Sequence, residues 1–100
     1  AHSIGADGVA FGAHAGDAAI YADCRVTFVA GLEGLIRDQG YDIKIFAPFL
    51  MKSKVAVLRR AIEFGVPLEE TWSCYVGEKK PCGQCGACIE REKAFAEVSQ

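Results

Sequence analysis

Apolar and polar residues follow two different periods along this chain, and each change of period marks an element. The stretch "GVAFGA", Gly8 to Ala13, is short, apolar on both faces and bounded by glycine, which is the pattern of a buried parallel strand. A polar loop with little periodicity follows, "HAGDAAIYADCR". Beyond it Val29, Leu32, Leu35 and Ile36 recur at helical spacing, which predicts a helix capped by Asp23 and ending near Gly40. Gly31 and Gly34 lie inside that helix at a cost of about 1 kcal/mol each relative to alanine, so it needs tertiary support. "DIKIFAPF" predicts a second strand that exits at Pro48. Ser53 stands where it can cap a second helix, with Val55, Leu58 and Ile62 turned inward and a stop at Gly65 ahead of Pro67. From Cys88 onward, "CIEREKAFAEV" reads as a charged amphipathic helix whose apolar residues are Ile89, Phe95 and Val98.

Strand, loop, helix, strand and helix in that order imply parallel pairing through a crossover, and so an α/β sheet followed by a cysteine-rich tail. We expect two parts, residues 1–70 and 71–100. The chain shows no internal repeat and no low-complexity segment. It opens on "AHSIGADG" without an initiator methionine, and those residues read as the end of a helix closing at Gly5. The expectation is a fragment whose N-terminal half is missing.

Composition narrows the class. Of 100 residues, 51% are apolar and 24% charged, the balance of an ordinary globular domain. A net charge of −2 supplies no general attraction for nucleic acid, so no direct nucleic-acid partner is expected. No apolar run is long enough for a bilayer, and no basic-then-apolar signal pattern opens the chain. Five cysteines would leave one unpaired in a disulfide framework, which favours a reduced, cytoplasmic setting.

Cys74, Cys82, Cys85 and Cys88 stand as C-x7-C-x2-C-x2-C. Two-residue gaps let thiolates converge on one ion, and glycine after Cys82 and Cys85 permits the tight turns this needs. "CGQC" and "CGAC" each resemble a redox dithiol, but they share Cys85, which argues against independent disulfides. A structural zinc ion is the favoured occupant, with no open position for substrate. An iron–sulfur cluster is the alternative, although no further cysteine follows at the usual offset before a proline. The zinc would pin the tail to the sheet. Lys79, Lys80 and Arg91 either offset its negative charge or are solvated surface groups, and Trp72 and Tyr75 either pack around it or stack on a ligand.

Ligands of open parallel sheets bind beyond the carboxyl ends of the strands. There the chain concentrates His14, Asp17, Tyr21, Asp23, Cys24 and Arg25. Carboxylate, guanidinium and phenol together can read the edge of a small polar heterocycle. Each also has a plainer role: Asp23 as a helix cap, Arg25 as a solvated first-turn residue, His14 as a structural histidine, Cys24 as a buried small residue. Lys54 opens the second helix and can reach a phosphate at its positive end, or simply lie at the surface.

The combination "GAHAGD…YADCR…F", then "APF…SK", then "TWSCYVGEKKPCGQCGACIER" resembles the C-terminal half of the 7-cyano-7-deazaguanine synthase family, in order and over nearly the whole chain. The resemblance implies a doubly wound parallel-sheet fold of the adenine-nucleotide alpha-hydrolase-like type with a zinc-binding helical tail. It implies an enzyme of the ATP-pyrophosphatase superfamily that converts 7-carboxy-7-deazaguanine and ammonia to the nitrile in queuosine biosynthesis. ATP with Mg2+ is consumed by the complete enzyme, Zn2+ is structural, and a homodimer is the expected assembly. The family's zinc site falls on Cys74, Cys82, Cys85 and Cys88, and the substrate would meet Asp17, Tyr21, Asp23, Arg25 and Lys54. The chain departs from the family pattern at Ala18, often histidine there, and at Ala22, commonly proline. The family's Ser-Gly-Gly-x-Asp-Ser phosphate loop has no counterpart in these residues. Two rival readings stay open: a tRNA-modifying enzyme of the same superfamily, and a zinc-stabilised interaction module without chemistry.

Overall fold

The computed structural model describes residues 1–99. The chain divides into two compact units, Ala1–Ser53 and Lys54–Gln100.

In the first unit, β1 (Gly8–Ala10) and β2 (Lys44–Phe46) pair in parallel, with Gly8 opposite Lys44 and Ala10 opposite Phe46. Flanking bonds from Lys44 N–H to the Asp7 carbonyl and from Phe11 N–H to the Phe46 carbonyl, both 3.0 Å, extend the ladder by a residue at each end. Both strands are shorter than their apolar stretches predict. Pro48 has no N–H to continue β2, and the Ala15 N–H beyond β1 bonds to the Lys52 carbonyl at 2.9 Å instead of to a strand. The expectation of buried strands is corrected as well: Val9 is 43% and Phe46 55% exposed. One crossover helix cannot cover both faces of a two-stranded sheet.

That crossover is α1 (Val26–Asp38). Asp23 does not cap it. Residues Ala22–Cys24 form a 3-10 turn closed by the Arg25 N–H, so the helix begins later, with Arg25 as its N-cap residue and no side-chain capping bond. The helix closes near Gly40 as the pattern predicts, by bonds from Gly40 N–H to the Arg37 carbonyl and from Tyr41 N–H to the Ile36 carbonyl. Val29 is buried, Leu32 and Ile36 are half-buried, and Leu35 is exposed, so the inward stripe is narrower than predicted.

In the second unit, α2 (Lys54–Glu63) packs on α3 (Gly86–Val98) around Leu58, Cys88 and Ala94. The helix α2 ends in the same paired closure, with Gly65 N–H on the Ile62 carbonyl and Val66 N–H on the Ala61 carbonyl. Ile62, expected to face inward, is exposed. The last turn faces solvent, with an Arg60–Glu63 ion pair at 2.7 Å and the Arg60 guanidinium over the Phe64 ring. The helix α3 starts at Gly86, two residues before the predicted start at Cys88, because Cys85 takes the N-cap position and accepts the Ile89 N–H on its carbonyl. No helix among the described residues is long and apolar enough to cross a membrane.

Candidate metal centre

The sulfur atoms of Cys74, Cys82, Cys85 and Cys88 all lie within 4.8 Å of one another. The Cys74 and Cys85 sulfurs are 3.9 Å apart. A tetrahedral ion holding thiolates at about 2.3 Å sets them about 3.8 Å from each other, so this spacing fits a single ion. Cys74 and Cys88 are buried, and Cys82 and Cys85 half-buried.

Backbone N–H groups build the cage. Those of Val76, Gly77 and Cys82 point at Cys74 Sγ at 3.4, 3.1 and 3.3 Å. Those of Gln84 and Cys85 point at Cys82 Sγ at 3.4 and 3.2 Å. Two cysteines thus receive N–H groups from the second and third residues beyond them, although only Cys82 begins a two-residue gap. Glycine makes both turns possible. A side chain on Gly77 would collide with the Lys80 carbonyl, and Gly83 sits at φ 72°, a left-handed conformation that other residues rarely adopt. Gly86 performs no such turn: it is the first residue of α3, so Cys85 and Cys88 lie on the helix start rather than around a tight loop.

This environment prepares the thiols unequally. The N–H groups of Cys82, Gly77 and Val76 pull the Cys74 thiol down to about 6. The Tyr75 and Cys88 N–H groups hold Cys85 below its ordinary value. Burial pushes Cys88 up to about 12, with the neighbouring thiols adding to the effect. Such a set gives up its first protons readily and its last only when a cation replaces them, which is the chemistry of a metal ligand set. The positive end of α3 further favours anionic sulfur at its N-cap.

Arg91 serves the centre in a way its place in a charged run does not reveal. It does not face the sulfurs. Its guanidinium bonds to Thr71 Oγ1 at 2.9 Å, Ser73 Oγ at 3.3 Å and the Leu68 carbonyl at 2.8 Å, and lies 4.6 Å from the centre of the Phe95 ring. It therefore ties the segment leading into Cys74 to α3. Trp72 donates from Nε1 to the Cys74 carbonyl at 2.7 Å, a contact with the centre's backbone. Tyr75, expected to pack there, is 79% exposed; its backbone serves Cys85 while its ring turns outward. Lys79 and Lys80 are exposed.

The polar loop is organised differently. His14 Nε2 lies 3.0 Å from Asp17 Oδ2 across a 3-10 turn, Ala15–Asp17. Arg25 donates from Nε to the Ala18 carbonyl at 2.9 Å, which ties the loop across itself. The Cys24 thiol approaches Asp23 Oδ1 at 3.7 Å, and burial followed by the Asp23 and Asp17 charges raises its pKa, the opposite of what a nucleophile needs. Asp23 and Tyr21 are exposed. Lys54, at the start of α2, pairs with Glu90 Oε2 at 3.2 Å, so its charge already has a carboxylate partner. A polar cleft of about 310 Å³, lined by Glu33, Arg37, Tyr41, Asp42, Ile43 and Lys44, contains none of the residues singled out from the sequence.

The family model for queuosine biosynthesis protein QueC matches residues 1–99. The 7-cyano-7-deazaguanine synthase 1 of Colwellia psychrerythraea is 45% identical over 96 residues, which cover 95% of this chain and 44% of the relative. The 7-cyano-7-deazaguanine synthase of Pseudoalteromonas translucida is 46% identical over 94 residues, covering 93% and 43%. That of Caldicellulosiruptor bescii is 44% identical over 97 residues, covering 96% and 44%. The chain spans less than half the length of these relatives.

Proposed function

The chain belongs to the queuosine biosynthesis protein QueC family, and from that premise we propose that it forms part of an ATP-dependent carbon–nitrogen ligase that makes 7-cyano-7-deazaguanine from 7-carboxy-7-deazaguanine and ammonia. The observation that carries this reading is the 45% identity to a 7-cyano-7-deazaguanine synthase over 95% of the chain. The chemistry is consistent with the need for ATP. A carboxylate is a poor electrophile, so its oxygen attacks the α-phosphate of ATP and releases pyrophosphate. Ammonia adds to the activated carbon, loses a proton and expels AMP, leaving the amide. A second adenylation, on the amide oxygen, lets the nitrogen lose its two protons and the carbon expel AMP to give the nitrile.

In this reading Cys74, Cys82, Cys85 and Cys88 hold one structural Zn2+, supported by the single-ion sulfur spacing and the all-thiol donor set. The ion would complete the fold of residues 71–100 and take no part in the reaction. Residues 1–70 would belong to an α/β domain of the ATP-pyrophosphatase type. Asp17, Asp23 and Arg25 would orient the guanine-like edge of the substrate, Tyr21 would stack on it, and Lys54 would exchange Glu90 for a phosphate or adenylate oxygen. The phosphates of ATP and its Mg2+ need a glycine-rich cradle that these 100 residues do not contain. The working enzyme would be a cytoplasmic homodimer.

The test is AMP and nitrile formation, followed by chromatography with zinc, ATP, ammonia and 7-carboxy-7-deazaguanine present. The 100 residues alone should turn over no ATP, whereas a chain extended by the part of the Colwellia relative that this one does not cover should form both products. Turnover by the 100 residues alone would refute the placement of the ATP site, and an inactive, well-folded extended chain would refute the assigned reaction.

A further inference from the structure

His14 is nine-tenths buried, and its Nδ1 has no hydrogen-bond partner among the described residues. The other ring nitrogen, Nε2, meets Asp17 Oδ2 at 3.0 Å. A buried polar atom without a partner is uncommon enough to call for a reason. Moving the ring proton to Nδ1 would bury an unpaired donor and give up the bond to Asp17. The proton therefore sits on Nε2, and the ring points a fixed donor at the carboxylate.

The Asp17 backbone is held just as firmly. Its N–H bonds to the His14 carbonyl at 3.2 Å and its own carbonyl accepts the Tyr21 N–H at 2.8 Å. At the turn's first residue, the loop is anchored by the Ala15 N–H on the Lys52 carbonyl. The side chain of Asp17 nonetheless keeps 28% of its surface exposed, against 11% for His14. A carboxylate has about four acceptor positions, and His14 occupies one. What remains is an immobilised, partly open acceptor at the loop, suited to two neighbouring N–H donors on a flat heterocycle.

We propose that His14 is a positioning residue: its Nε2–H orients the Asp17 carboxylate to accept the adjacent amine and ring N–H donors of an aminopyrimidinone edge. This rests on the reading of 7-carboxy-7-deazaguanine as the substrate, which carries such an edge, and it assigns to His14 a role through Asp17 rather than a contact with the ligand.

The zinc-loaded extended chain of the preceding test is titrated calorimetrically with 7-carboxy-7-deazaguanine. His14→Phe, which keeps the ring volume but has no donor, should weaken binding about tenfold, the loss expected for one oriented hydrogen bond. His14→Gln, which keeps a donor, should recover most of that affinity, and both variants should retain full zinc. Long-range proton–nitrogen NMR spectra of the wild-type ring should show a single tautomer protonated at Nε2, giving way to a mixture in Asp17→Ala. Equal affinity in His14→Phe and wild type, or a ring protonated at Nδ1, overturns the positioning role while leaving the substrate reading intact. No binding by the well-folded wild-type extended chain overturns the substrate reading, and this inference with it.

Discussion

Between Cys74 and Cys88 four identical donor atoms gather within 4.8 Å, whereas between His14 and Arg25 the polar side chains disperse to separate tasks. His14 takes Asp17, Cys24 leans on Asp23, and Arg25 binds the backbone of its own loop. The difference lies in what organises each region. The sulfur cage is assembled mostly by N–H groups two and three residues beyond Cys74 and Cys82, with the Cys82 N–H reaching back to Cys74, all within one short stretch of chain. The loop holds unlike groups, and each group's partner is decided by where the chain goes next. A cluster of like donors at short spacing is therefore a far safer reading than a collection of unlike polar residues.

The comparison is broken most severely by removing one sulfur. Cys85→Ser should abolish metal binding, measured as zinc per chain by mass spectrometry. It should also unfold the second unit, since structural zinc supplies on the order of 10 kcal/mol of folding free energy. Cys24→Ser, in the loop, should leave the metal content at one zinc per chain. Full zinc in Cys85→Ser would mean that the four sulfurs are not one ligand set. An intermediate effect is expected of Arg91→Ala, which removes three hydrogen bonds from the segment entering Cys74. It should cost about 2 kcal/mol and release zinc earlier in competition with a chelator. If the release curve does not move, Arg91 does not brace the centre. The smallest effect belongs to Asp23→Ala. Because Asp23 makes no capping bond to α1, its loss should change thermal stability by less than about 0.5 kcal/mol. Binding of 7-carboxy-7-deazaguanine should nevertheless weaken. A loss of about 1 kcal/mol in stability with unchanged binding would instead restore Asp23 as a cap.

The parallel pairing, the α/β order and the helix ends near Gly40 and Gly65 were legible because strand–helix–strand spacing and helix-stop residues act over a few positions. The four-cysteine set was legible for the same reason. The start of α1 was not, because Asp23 has the better capping side chain, yet the 3-10 turn over Ala22–Cys24 takes it up and the helix begins after Arg25, which makes no side-chain cap. Nor was the exposure of Leu35 and Ile62, which have the right period for an inward face that their neighbours do not cover. The pairing of Lys54 with Glu90 joins residues 36 apart in the sequence, and the reach of Arg91 back to Leu68 spans 23. No periodicity encodes such distances. By itself the sequence determined what forms through local backbone geometry: the elements, their stops and the four clustered thiols. Tertiary structure alone decided which polar partner each long side chain takes, because flexible side chains settle on whatever the folded chain brings within hydrogen-bond reach.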